Sequence, residues 1–213
     1  MKKIVDKIKL SIKYNKKIII FLVTLGIIAI IAGSIFTIML NSADKKITMD
    51  YINNFVSNIS NGNLDYVSAL YNGFSTSFSS AIITWLLGMS VIGIPVILFM
   101  YFSKIFVLGF SISAIISNYG FKGCLISFSY IFPHQIINII VYTLLTLLAL
   151  KVSGKILYSI LKKEKLDFKA IMHNYFLILL ICLGIFILTI LFEVYITPKI
   201  ISIFLSFLKL NMV

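Results

Sequence analysis

Of the 213 residues, 60% are hydrophobic and 12% charged, and the mean hydropathy is +1.06. A soluble domain of this length is about half apolar and a quarter charged, so the composition excludes one and points to a polytopic membrane protein. The net charge of +12 does not mark a nucleic-acid binder, because the lysines cluster beside hydrophobic runs, where they orient membrane spans.

Residues 1–17 form a basic, cytoplasmic N-terminus with seven lysines, and 18–40 follow without a charge. That run exceeds the roughly 7–15 apolar residues of a signal peptide and meets the ~20 needed to cross a bilayer. It predicts a retained first transmembrane helix. Ala29 and Gly33, four apart, allow close approach of another helix. Residues 41–78 are more polar. Ile52, Phe55, Val56 and Ile59, then Val67, Leu70, Tyr71 and Phe74, follow helical spacing. This predicts two amphipathic helices on the outer membrane surface, as a cap over the bundle or a docking surface.

Transmembrane helices two to four are expected within 79–150. The second, about 81–101, has Trp85 as an interfacial anchor at its outer end, and Gly93 and Pro95 as a bend. Lys104 marks a short inner turn. The third, about 105–117, carries Gly109, Ser113 and Ser117 as a small-residue stripe, for close contact within the chain or for a homodimer seam. In "SYIFPHQ" (129–135), Pro133 interrupts a run too short to cross alone. Two accounts remain open: a re-entrant half-helix broken at Pro133 and followed by a span over 134–150, or one long kinked helix. Irregular backbone at membrane depth survives only against protein or water, so Pro133, His134 and Gln135 are expected to face the bundle interior. His134 is either an ionisable switch paired to Gln135 or Asn138, or a ring bonded to a carbonyl that Pro133 frees.

Residues 151–170 form a second basic, cytoplasmic loop, 171–192 a fifth transmembrane helix, and 193–213 an outer tail too short and interrupted to predict a further span. Five crossings place fourteen lysines inside and five outside (Lys45, Lys46, Lys122, Lys199 and Lys209), with the N-terminus cytoplasmic and the C-terminus outside. The expected fold is an all-α polytopic membrane helix bundle in contact with membrane lipid. Between Asp65 and Glu164 there is no Asp or Glu, so most spans lack the carboxylate on which cation-coupled carriers rely. Cys124 and Cys182 lie in apolar runs, and no phosphate-binding loop or metal-ligand spacing occurs. No catalytic, cofactor or metal site is expected, and no enzyme.

"FSSAIITWLLGMSVIGIPVILF" (78–99), followed by a glycine-bearing helix and by "FPHQIINII", resembles the stage II sporulation protein M family over essentially the whole chain. In the wider family the last motif reads Pro-His-Gly-x-x-Glu. Pro133 and His134 match it, whereas Gln135 replaces the glycine and Asn138 the glutamate, leaving a polar His134–Asn138 pair in place of a His–Glu pair. The resemblance implies a scaffold in the mother-cell membrane of a spore-forming bacterium. It would recruit two peptidoglycan-degrading partners, stage II sporulation proteins D and P, during engulfment. The competing expectation is a permease-like subunit driven by a separate ATPase, suggested by the breaks at Pro95 and Pro133.

Overall fold

A computed structural model describes residues 16–131, 134–163 and 167–207, all helix and connecting turns with no strand among them. Among the described residues the helices are, in order, α1 (Lys16–Met39), α2 (Ser42–Ser60), α3 (Tyr66–Gly88), α4 (Gly93–Ile131), α5 (His134–Lys162), α6 (Phe168–Tyr195) and α7 (Thr197–Phe207). Four helical stretches are long and apolar enough to cross a membrane: Lys16–Met39, Gly93–Phe128, His134–Lys162 and Phe168–Ile203. The protein is thus an all-α polytopic bundle. Pro133 and residues 1–15 of the basic N-terminus lie outside the described residues.

Side-chain pairings set the directions. Helices α1 and α4 run parallel, since Gly26 lies near Tyr101 and Ile105, and Ser34 near Gly109 and Ser113. Helix α5 runs against α4, with Tyr101 bonded to Thr143 while Leu108 sits opposite Gln135. Helix α6 runs against α5, and α3 lies lengthwise between them, with Gly73 near Ile190 at one end and Gly88 near Tyr175 and Ala149 at the other. At 23 residues α3 is about 34 Å long, so it shares the layer of the four spans although serines thin its hydropathy.

This arrangement corrects the expected second span at 81–101. The chain does not bend there. Helix α3 ends at Gly88, turns through Met89–Ile92, and α4 begins at Gly93. Gly93 is required because any Cβ would strike the Leu87 carbonyl. Pro95 falls in the first turn of α4, where its missing N–H costs nothing. The polar segment expected at 41–78 is correspondingly shorter, for α3 begins at Tyr66. Trp85 lies near the Lys16 end of the bundle, stacked on Tyr175 with ring centroids 5.6 Å apart.

Helix α4 reverses sharply at Gly120 (φ 58°, ψ −134°), a backbone region that favours glycine. Its last part folds back so that Gly123 lies on the backbone of Ile115 and Ile116. Around this hairpin, Val56 and Ile59 of α2, Ile115 and Ile126 of α4 and Ile201 of α7 form a small core separate from that of the bundle. Two exposed N-caps start helices here: Asn41 accepts from Asp44 N at 2.8 Å, and Asp65 accepts from Val67 N and Ser68 N at 3.1 Å.

Candidate functional site

Helical spacing puts His134 and Asn138 on one face of α5, one turn apart. Facing them, Thr189 and Glu193 of α6 and Thr197 at the start of α7 recur every four residues. Because the helices are antiparallel, the two ladders meet rung by rung. Thr189 donates to Asn138 Oδ1 at 2.6 Å, His134 Nε2 lies 3.8 Å from Glu193 Oε1, and His134 Nδ1 lies 3.3 Å from Thr197 Oγ1. His134 and Asn138 are buried, whereas the Glu193 side chain retains 34% of its exposure.

One turn further along α5, the Tyr142 hydroxyl shares a hydrogen bond with Thr84 of α3 at 3.0 Å. Its ring carries the Lys104 ammonium, with Nζ 4.3 Å from the centroid. The Phe186 ring stands 5.6 Å from the same Nζ, and Lys104 donates to Ser80 Oγ at 3.0 Å. Such an ammonium is held by the electron-rich ring faces. Lys104 and Glu193 attract one another from beyond contact distance. Four helices, α3 to α6, therefore converge on a polar centre containing one lysine, one glutamate and one histidine.

Two expectations change. Lys104 does not mark an inner turn. It lies well inside α4, because the chain turns at Met89–Ile92 instead, and it drops out of the inside-lysine count. Residues 66–163 hold no Asp or Glu, but Glu193, expected in the outer tail, contacts His134 from α6. The His–acid contact that Asn138 denies to α5 is supplied from α6. The signal was the four-residue spacing of Thr189, Glu193 and Thr197, but only the pairing of α5 with α6 gives it meaning. Pro133 lies outside the described residues.

The other singled-out residues lie elsewhere. Ala29 and Gly33 of α1 face Gly109 and Ser113 of α4. A Cβ at Gly109 would come within 2.5 Å of the Ile30 carbonyl, and one at Gly33 would strike the backbone of Phe106 and Phe110. Ser113 donates to Ser34 O at 3.3 Å, and Ala29 is fully buried. Ala29, Gly33, Gly109 and Ser113 thus serve contact within the chain, whereas Ser117 is exposed. Gly93 and Pro95 start α4, remote from the polar centre.

At the far end from Lys16, an apolar groove of about 360 Å³ opens between α2, α4 and α7, with Tyr51, Phe55, Phe110 and Ile201 among its walls. Among the described residues, no group of three His, Cys, Asp or Glu side chains is placed to hold a metal ion. The family model for stage II sporulation protein M matches residues 18–198, and the chain belongs to that family. No curated protein and no solved structure matches it.

Proposed function

We propose that this member of the stage II sporulation protein M family is a non-catalytic membrane scaffold that gathers peptidoglycan-degrading partners, stage II sporulation proteins D and P, during engulfment. In this reading it sits in the mother-cell membrane with Lys16 on the cytoplasmic side. The observation that carries the proposal is the apolar groove at the opposite end. It is built by the amphipathic helix α2, the α4 hairpin and α7 around a core of their own, and Tyr51 (75% exposed) and Phe55 (44% exposed) line it. An apolar patch of this kind on an outer face is the usual mark of a protein contact. Asn138, Tyr142 and Lys104 each bond to a side chain of a facing helix, which suits a rigid platform.

Crosslinking followed by mass spectrometry on sporulating membranes tests the proposal. Recovery of the two wall-degrading proteins, with crosslinks in 42–60 and 197–207, supports it. Recovery of an ATPase in their place favours the second reading, a permease-like subunit. The charged residues inside the bundle, Lys104 and Glu193, speak for that alternative, because intramembrane ionisable side chains commonly mark solute pathways.

A further inference from the structure

Beside the Lys104 ammonium, a crevice of about 30 Å³ lies between α4 and α5, with Tyr101, Gln135, Asn138 and Tyr142 among its lining residues. That volume admits one water-sized or monatomic guest. The hydrogen-bond inventory decides which chemistry the crevice favours. Asn138 Oδ1 is taken by Thr189 at 2.6 Å, a separation typical of O–H···O pairs and short for N–H···O. The Asn138 amide nitrogen therefore faces Gln135, donating to Oε1 at 3.4 Å, and this leaves the Gln135 NH₂ as a donor. Thr84 and Thr143 donate to the Ser80 and Ile139 carbonyls at 2.7 Å, so the Tyr142 and Tyr101 hydroxyls donate to those threonines. Lys104 has three N–H donors: Ser80 accepts one, and the Tyr142 ring faces another. What remains for a guest is N–H from Lys104, Gln135 and Asn138 beside the tyrosine oxygens, and Lys104 is the one charged side chain that lines the crevice, so the charge there favours an anion.

We propose that this crevice binds one small monovalent anion of chloride size, held by the Lys104 ammonium and the amide N–H groups of Gln135 and Asn138. Glu193, the carboxylate in the polar centre, contacts His134 and does not line the crevice. Its charge offsets part of that of Lys104, so the anion is held weakly and exchanges. The site is independent of the scaffold reading.

The test uses the full chain purified in detergent, melted in sodium chloride and in sodium gluconate at equal ionic strength, gluconate being too large for the crevice. Quadrupolar chloride NMR line broadening reads binding directly. Chloride is expected to raise Tm with saturation and to broaden the line. Lys104→Met should abolish both effects. Gln135→Leu, at a half-exposed position and thus the safer variant for folding, should weaken binding about tenfold, as loss of one hydrogen bond to an ion implies. Equal melting in both salts with no broadening means the crevice takes water only, which overturns the proposal. Broadening that survives unchanged in Gln135→Leu places chloride on surface lysines and overturns it equally.

Discussion

Against α1, helix α4 presents Gly109 and Ser113, and backbone approaches backbone. Against α5 and α6 it presents Tyr101 and Lys104, and the contact runs through rings, hydroxyls and charges. Lipid tails are as apolar as leucine, so no hydrophobic drive joins helices within a bilayer, and close packing and interhelical hydrogen bonds take its place. The two interfaces of α4 divide these means between them. The first is set mainly by shape, with no room for a methyl group at Gly33 or Gly109, and its side-chain bonds go to backbone carbonyls. The second runs through larger side chains and depends on the polar contacts between them.

The sharpest way to break the contrast is Gly33→Leu, which drives a side chain into the backbone of Phe106 and Phe110. Overpacking of this kind costs about 3 kcal/mol or more where the obstacle is backbone. A thermal melt in detergent should show the loss, and gel filtration should show aggregation. Next in size is Lys104→Met, which strips Glu193 of its counter-charge. Because the carboxylate is partly exposed, the expected cost is about 1–3 kcal/mol, short of that for breaking a fully buried pair. Glu193→Gln should cost less, and the double variant less than the sum of the two, since the charges interact. Strict additivity in that cycle would dismiss the pairing.

Thr189→Val sharpens the comparison from the polar side. It keeps the shape and removes the donor to Asn138, and should lower stability by about 1–2 kcal/mol. The isosteric Ser113→Ala in the α1 seam should cost less, because there the small volume matters more than the bond. If the two variants melt alike, the division between shape and polarity is wrong. The smallest effect is expected from Asp65, an exposed cap outside both interfaces. Hydrogen bonds from Ser68, side chain first and then backbone, hold its carboxyl below the ordinary aspartate value. The stability it contributes is therefore full above the unfolded carboxyl's range and fades as the pH falls through the folded value. Asp65→Ala should melt slightly below the wild type at neutral pH, and the two should converge in acid.

Much of this architecture was legible residue by residue. The uncharged run 18–40, the amphipathic spacing of Ile52, Phe55, Val56 and Ile59, and the two four-residue stripes of small side chains are local patterns, and each sits in a helix. The turn at Met89–Ile92 was not legible. It lies in an apolar stretch whose punctuation, Gly88, Gly93 and Pro95, reads equally as a bend or as a stop. Helix α3 was hidden for a related reason: its serines resemble a surface segment until Ala81, Thr84 and Gly88 are seen buried among α4, α5 and α6.

The sequence by itself determined that the chain is a helical membrane bundle, which side chains are small enough for helices to touch, and that charge is concentrated in a few segments. Hydropathy and periodicity are properties of one helix at a time, and they need no knowledge of neighbours. Only the tertiary structure decided that Lys104 is an interior charge and that Glu193 turns inward to His134. It also decided that Thr189 answers Asn138. A charged residue in an apolar run can end a helix or sit in its middle, and the outcome depends on whether other helices bring a ring, a hydroxyl or an opposite charge to the same depth.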